Sequence, residues 1–218
     1  MENAEYQLIK FSRMLIKENK NHNLISRQST EEDIARHISD SVEGMKLASF
    51  QGKRVIDIGT GAGFPGMVLA ICNPTGKFTL VESDLKKGLF LERVKSELGL
   101  KNVDLISKRV EEVGQDQKLR ESFDLCTARA VAAISVLLEY GIPLLKVGGE
   151  LLLWKGKKYL EEMEQAKKAL QILGTSVKEV YRYSSDENDK RVLISFKKIL
   201  PTSDKYPRRV GIPSKRPL

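Results

Sequence analysis

The stretch VIDIGTGAGFPG, from Val55 to Gly66, decides the fold of this chain. Strand-forming apolar residues surround Asp57, and five of the eight residues that follow Ile58 are glycine or alanine. This composition predicts a strand, a tight turn and then a helix whose first turn contains Pro65. Glycines permit positive φ angles and let a ligand approach the main chain closely. Those of the predicted turn are Gly59, Gly61 and Gly63.

Beyond this stretch, short apolar runs alternate with helix-like segments. The predicted strands are VIDI, KFTLVE, VDLI, FDLCTARA and ELLLW, and the predicted helices lie at 65–73, 84–98, 131–142 and 158–172. Alternation at this rhythm predicts a parallel sheet covered by helices on both faces. Two alternating runs, TSVKEVYRYS and DKRVLISFKKI, are joined by the polar stretch SSDEND and predict an antiparallel hairpin.

The two ends of the chain differ from this pattern. Residues 3–19 and 30–48 are predicted to form amphipathic helices, the second beginning with a capping box at Thr30 and Asp33. The last 14 residues, KYPRRVGIPSKRPL, contain five Lys or Arg, three Pro and no acid, which favours an extended tail.

The predicted architecture is α/β and doubly wound. It has a mostly parallel seven-stranded sheet, a C-terminal antiparallel hairpin and an N-terminal helical cap. We expect a single compact unit, since 218 residues with 41% apolar content support one substantial core. Its parts are a helical cap at 1–50, an α/β domain at 51–200 and a basic tail at 201–218.

Charge and cysteine content narrow the class of protein. The net charge of +8 favours polyanionic partners. Cys72 and Cys126 are far apart within apolar runs, so we expect buried free thiols in a reducing cytoplasm, with no disulfide scaffold and no metal site. The N-terminus lacks an apolar signal region and no run is apolar enough to span a membrane, so neither secretion nor a membrane location is expected.

The glycine turn is expected to bind a nucleotide-like cofactor. In a doubly wound sheet, ligands bind beyond the carboxyl ends of the strands, at the turn after the first strand. Glu82 ends the second strand, where its carboxylate can accept hydrogen bonds from both hydroxyls of an adenosine ribose.

Two cofactor classes remain open on spacing alone. GAGFPG matches the G-x-G-x-x-G pattern of NAD-binding proteins, and Glu82 follows about 20 residues later, as that pattern requires. Asp57, however, would repel a pyrophosphate and suits a cationic or amino-bearing ligand. The sequence also offers no evident Tyr/Lys pair or His relay for hydride transfer.

The segment DIGTGAGFPG, Asp57 to Gly66, resembles the first motif of S-adenosylmethionine-dependent methyltransferases. Its Phe64-Pro65-Gly66 ending is similar to the glucose-inhibited division protein B family, the 16S ribosomal RNA (guanine-N7) methyltransferases. Further matches run in order along the chain: NLIS at 23–26, Arg36-His37, Asp40-Ser41, TARAV at 127–131, YPRR at 206–209 and Gly211-Ile212-Pro213. The chain departs from the family where NLISRQS replaces an NLTAIRD-like stretch, and Cys72 and Trp154 belong to no motif.

The resemblance implies S-adenosyl-L-methionine as cofactor. It adds Phe64, Val110, Glu111 and Arg129 to the cofactor-binding residues, with the adenine near Val110 and Glu111. Together with the residues of the turn and Glu82, the predicted cofactor site comprises Asp57, Gly59, Gly61, Gly63, Phe64, Glu82, Val110, Glu111 and Arg129.

The resemblance also implies methylation of N7 of a guanine in 16S ribosomal RNA. This nitrogen carries a lone pair and no proton at neutral pH, so the reaction needs orientation rather than a general base. Arg129 is the candidate for substrate positioning, through a base edge or a phosphate; the rival interpretation is an ion pair with Glu111 or with a helix C-terminus.

Basic residues supply the candidate RNA contacts. These are Lys155, Lys157 and Lys158 after the fifth strand and Arg208, Arg209, Lys215 and Arg216 in the tail. The expected partner is 16S ribosomal RNA or the small ribosomal subunit, bound by a monomer. Two alternatives stay open at this point: an NAD-dependent oxidoreductase, and a non-catalytic RNA-binding ribosome-assembly factor.

Overall fold

The computed structural model describes residues 2–184 and 190–218. Seven strands form one sheet in the order β3-β2-β1-β4-β5-β7-β6. Strands β1 to β5 pair in parallel, whereas β7 runs antiparallel to both β5 and β6. The predicted sheet and its terminal hairpin are confirmed; the predicted polar turn of that hairpin falls at 185–189, outside the described residues. The strands are β1 Arg54–Ile58, β2 Lys77–Val81, β3 Val103–Ile106, β4 Phe123–Arg129, β5 Leu145–Lys155, β6 Thr175–Ser184 and β7 Lys190–Lys198.

Helices cover both faces of the sheet. The core on one face includes residues of α1 to α4, and the core on the other includes residues of α5 to α8. The helices are α1 Glu2–Asn19, α2 Glu31–Val42, α3 Gly66–Cys72, α4 Leu85–Leu98, α5 Val110–Gln115, α6 Ile134–Gly141, α7 Tyr159–Gln165, α8 Lys167–Ile172 and α9 Ile212–Lys215. The short helices α5 and α9 were not predicted, and the helix predicted at 158–172 is divided into α7 and α8.

The N-terminal helices pack against the glycine turn. The predicted capping box of α2 is present, because Thr30 accepts a hydrogen bond from the Asp33 amide and donates its own amide to the Asp33 carboxylate at 2.8 Å. Hydrogen bonds from Thr30 lower the pKa of Asp33 to about 2. In α1, the Phe11 ring lies edge-on to that of Phe64 at 5.5 Å between centroids. The helical cap thus forms part of the wall around the turn.

The C-terminal segment is not the extended tail that its composition predicted. Its Pro207 is buried, and the Arg120 guanidinium donates hydrogen bonds to the carbonyls of Tyr206 and Thr202 at 2.5 and 2.6 Å. The segment then forms α9 and packs beside α6. Buried carboxylates on α5 and α6 hold it in place, as described below.

Both cysteines are free thiols, with Cys126 buried in β4 and Cys72 half-buried at the end of α3. Over residues 2–184 and 190–218, no helix combines the length and the apolar content needed to cross a membrane.

Candidate functional site

The glycine turn lies at the carboxyl end of β1 and requires glycine at two positions. Gly59 and Gly63 have φ angles of 67° and 108°, in the region that side chains disfavour. A Cβ on Gly59 would lie 2.7 Å from a Val131 methyl, and one on Gly63 would lie 2.9 Å from the Cβ of Met67. The turn is therefore a main-chain surface with no room for side chains at these two positions.

Asp57 ties this turn to the neighbouring strand. Its side chain is fully buried, Oδ1 accepts a hydrogen bond from the Thr127 hydroxyl at 2.7 Å, and Oδ2 accepts one from the Gly66 amide at 2.9 Å. Burial raises the pKa of this carboxyl to about 6. Through these contacts Asp57 supports the turn. A direct contact between Asp57 and a ligand stays a prediction.

Glu82 holds the same turn from the end of β2. Its Oε2 accepts a hydrogen bond from the Gly61 amide at 2.9 Å, and its Oε1 accepts one from the Asp84 amide at 2.8 Å. Each carboxylate oxygen can accept a second hydrogen bond, so the half-buried group retains capacity for a ligand.

A cleft of about 220 Å³ opens between the turn, the end of β2, the start of α5 and the C-terminal segment. We call it the cofactor cleft. The structure brings four of the predicted site residues together there: Gly59, Glu82, Val110 and Glu111. It is completed by Val81, Ser83, Lys108, Arg109, Val131, Ala132, Tyr140 and Ser214.

Two residues that line the cofactor cleft, Tyr140 and Ser214, were not predicted from the sequence. The Tyr140 hydroxyl donates to Glu111 Oε1 at 3.1 Å and lies 3.0 Å from the Ser214 hydroxyl oxygen. The Gly211 amide also donates to Glu111 Oε1, at 2.8 Å. The motif matches at 206–213 marked this segment, but no sequence pattern placed it against α5.

Arg129 pairs with the helical cap rather than with Glu111. Its Nη1 donates to Asp40 Oδ2 at 2.7 Å and to the His37 carbonyl at 3.3 Å. Its guanidinium lies 5.0 Å from the centroid of the Phe64 ring. The ion pair with Glu111 weighed above is therefore wrong, because Glu111 already accepts hydrogen bonds from α6 and the C-terminal segment.

Asp40 is the centre of a buried charge cluster. Besides Arg129, it accepts a hydrogen bond from the Tyr183 hydroxyl at 2.5 Å and pairs with Arg191 at 2.9 Å. Burial and the Asp40 carboxylate raise the pKa of Tyr183, while burial lowers that of Arg129. The motif match at Asp40-Ser41 marked this residue without indicating its partners.

A second cleft, of about 330 Å³, lies beyond the carboxyl ends of β4 and β5, and we call it the rim cleft. The loop after β4 contributes to both clefts, because Ala130, with a φ of 56°, lines the rim cleft and Val131 and Ala132 line the cofactor cleft. The rim cleft is lined by Asp40, Arg129, Ala130, Trp154, Lys155, Gly156, Glu162, Tyr183 and Arg191.

Two of the predicted RNA-binding residues have internal partners instead. The nearly buried Lys155 ammonium lies 2.5 Å from Glu162 Oε2 and donates to the Ala132 carbonyl at 2.9 Å. Arg208 donates through Nε and Nη2 to the fully buried Glu139 carboxylate, at 2.8 and 2.6 Å. The buried Glu139 carboxylate needs a cation because it lies inside the fold, and this requirement cannot be read from local composition. The remaining basic candidates are exposed: Lys157, Lys158, Arg209, Lys215 and Arg216.

Solved structures of low sequence identity share the fold. The structure of M. jannaschii TYW2 in complex with AdoMet superposes with a TM-score of 0.59 at 17% identity, covering 75% of this chain and 77% of that one. A SAM dependent methyltransferase from Aquifex aeolicus superposes with a TM-score of 0.56 at 17% identity, covering 74% of this chain and 91% of that one.

Sequence relatives are far more similar. The ribosomal RNA small subunit methyltransferase G of Syntrophomonas wolfei is 52% identical over 98% of this chain and 100% of its own length. That of Carboxydothermus hydrogenoformans is 44% identical over 100% of this chain and 94% of its own length. A family model described as rRNA small subunit methyltransferase G matches residues 4–193. The chain therefore belongs to the rRNA small subunit methyltransferase G family.

Proposed function

We propose that the protein transfers a methyl group from S-adenosyl-L-methionine to N7 of a guanine in 16S ribosomal RNA. The observation that carries this proposal is the similarity, over nearly the whole chain, to relatives named ribosomal RNA small subunit methyltransferase G. The NAD-dependent alternative loses its support, since the glycine turn on which it rested belongs to a chain of this methyltransferase family.

The cofactor cleft fits this cofactor. The bare turn at Gly59 admits a ligand next to the main chain, and the Glu82 carboxylate can accept hydrogen bonds from ribose hydroxyls while it holds Gly61. Val110 gives the far side an apolar surface for a purine ring, next to Glu111. Four of the nine predicted cofactor-site residues line the cleft: Gly59, Glu82, Val110 and Glu111. The other five support the turn or its rim: Asp57, Gly61, Gly63, Phe64 and Arg129.

The reaction asks for orientation more than for acid or base catalysis. S-adenosylmethionine supplies an electrophilic methyl group on a sulfonium when it is bound. Guanine N7 is unprotonated at neutral pH, so no side chain has to remove a proton. The residues of the chain then act by holding the base in line and excluding water. Arg129 pairs with Asp40, packs on Phe64 and lines the rim cleft, and we assign it the role of orienting the substrate.

RNA would be held by exposed basic residues that follow β5 or belong to the C-terminal segment. The proposed phosphate contacts are Lys157, Lys158, Arg209, Lys215 and Arg216, all of which are exposed. We further propose that the protein acts as a monomer in the cytoplasm, where small ribosomal subunits are available as substrate.

Methyl-label transfer tests the proposed function. Small-subunit RNA that lacks its own modification is incubated with the protein and labelled S-adenosylmethionine, and the nucleosides are then analysed. We expect the label in 7-methylguanosine. Label on a ring carbon, on a ribose or on protein would contradict the acceptor assignment. RNA binding without any methyl transfer at saturating cofactor would favour the non-catalytic assembly factor.

Glu82→Ala should weaken cofactor binding. The substitution removes the ribose acceptor and also releases the amides of Gly61 and Asp84, so we expect a loss of about 1 to 3 kcal/mol. Titration with S-adenosylhomocysteine measures this loss directly. The matched control is Glu92→Ala, an exposed glutamate on α4, which should bind as wild type does. Unchanged affinity in a folded Glu82→Ala protein would remove Glu82 from the site.

A further inference from the structure

One of the two carboxylates in the rim cleft, that of Glu162, keeps hydrogen-bonding capacity for a ligand. Asp40 is buried and receives hydrogen bonds or ion pairs from three side chains. Glu162 differs, because its side chain is 24% exposed. Its Oε2 accepts a hydrogen bond from the Ile134 amide at 2.9 Å and lies 2.5 Å from the Lys155 ammonium. Within residues 2–184 and 190–218, no hydrogen bond reaches its Oε1.

We propose that the rim cleft binds the target guanine base and that Glu162 selects guanine by accepting hydrogen bonds from its N1–H and its N2 amino group. This inference rests on the proposed function, because it takes guanine as the methyl acceptor. It adds a binding site and a specificity-determining residue on α7, outside every motif identified in the sequence.

The hydrogen-bonding pattern of guanine matches the cleft. With N7 turned toward the cofactor, the Watson–Crick edge of guanine presents one acceptor, O6, followed by donors at N1 and N2. The Arg129 guanidinium provides donors for O6, while Glu162 provides the acceptor that the adjacent N1–H and N2 amino group need. Adenine presents the reverse pattern, an amino donor at C6 and an acceptor at N1, so the lone pair of its N1 would face the lone pairs of the carboxylate.

The contacts of Glu162 also suit a residue that recognises the target base close to the site of methyl transfer. Its Oε2 holds the Ile134 amide at the start of α6, and its partner Lys155 holds the Ala132 carbonyl. Ala132 and Ile134 belong to the segment that runs beside both clefts and leads into α6. The same carboxylate therefore fixes the segment next to which the base and the cofactor would meet.

Charge and ring surfaces support a nucleotide as the occupant. The lining of the rim cleft includes three cationic side chains, those of Arg129, Lys155 and Arg191, which attract a phosphate group. Two aromatic residues, Trp154 and Tyr183, also line the cleft.

Binding of mononucleotides tests the inference without requiring turnover. Trp154 is the chain's single tryptophan and lines the rim cleft, so its fluorescence reports occupancy. The protein is saturated with S-adenosylhomocysteine and titrated with guanosine, inosine and adenosine 5′-monophosphates. Inosine lacks only the N2 amino group of guanosine. We expect guanosine monophosphate to bind about tenfold more tightly than inosine monophosphate, and adenosine monophosphate to bind most weakly.

Two variants assign the preference to Glu162. Glu162→Gln should abolish the difference between guanosine and inosine monophosphates, with the affinity for S-adenosylhomocysteine and the Tm as checks of folding. Glu161→Gln changes the exposed neighbouring glutamate and should keep the wild-type preference. If Glu162→Gln fails to fold, the ratio between guanosine and inosine monophosphates in the wild-type protein decides the matter.

Three results would overturn the inference: equal binding of the two nucleotides by the wild type, an unchanged preference in folded Glu162→Gln, or no fluorescence response to any nucleotide. They are distinguishable from failure of the proposed function. A protein that prefers guanosine monophosphate through Glu162 but never labels guanine N7 contradicts the proposed function, and one that labels N7 without this preference contradicts the guanine site.

Discussion

Replacing Arg208 by methionine is expected to lower the free energy of unfolding by about 3 to 5 kcal/mol, because it leaves a buried carboxylate without its cation. The Glu139 side chain is fully buried in α6 and accepts from Arg208 through both oxygens. After the substitution, only the main-chain amide of residue 208, now 2.8 Å from Oε1, would remain from this contact. Urea denaturation followed by circular dichroism measures the loss.

The control for this variant lies next to it. Arg209 is exposed, so Arg209→Met should change stability by less than about 0.5 kcal/mol. A double variant, Arg208→Met with Glu139→Met, removes both charges and should recover most of the stability. If Arg208→Met cost less than about 1 kcal/mol, the ion pair would not be what holds the C-terminal segment on α6.

The second large effect is a pH dependence caused by Asp57. Burial raises the pKa of this carboxyl from 3.8 to about 6, so the native state holds the proton more tightly than the unfolded chain does. Stability from this group is therefore fully present below pH 3.8 and is lost as the pH rises to 6. The loss amounts to about 3 kcal/mol at neutral pH.

Asp57→Asn isolates this contribution from other titrating groups. An asparagine can accept the hydrogen bond of the Gly66 amide and donate to the Thr127 hydroxyl, so the support of the turn is kept without a charge. Between pH 4 and pH 7, the wild type should lose about 2 kcal/mol relative to this variant. A difference in unfolding free energy that stays constant with pH would show that Asp57 does not titrate in this range.

The sequence predicts those parts of the fold that depend on local patterns. Apolar runs identified the strands of the α/β region. Thr30 with Asp33 marked the start of α2, because capping requires residues only three positions apart. The glycine turn and Glu82 were predicted for the same reason. Each needs a residue type at a fixed distance along the chain from a strand end.

What the sequence did not reveal depends on partners that are distant in the chain. From the sequence, Arg208 was predicted to contact RNA, whereas in the structure it pairs with the buried Glu139, 69 residues away in the chain. Arg129 pairs with Asp40 of the helical cap, which lies 89 residues away in the chain. Burial of an acid makes such pairings necessary, yet burial is a property of the assembled fold and leaves no periodic signal near the basic residue.

The contact of Phe11 with Phe64 links the first helix to the glycine turn. Gly63 leaves no room for a Cβ between Met67 and the Phe11 ring, so we expect fraying of α1 to be coupled to loosening of the turn. A ligand of the cofactor cleft, whose lining residues lie outside α1, is then expected to slow amide hydrogen exchange along that helix.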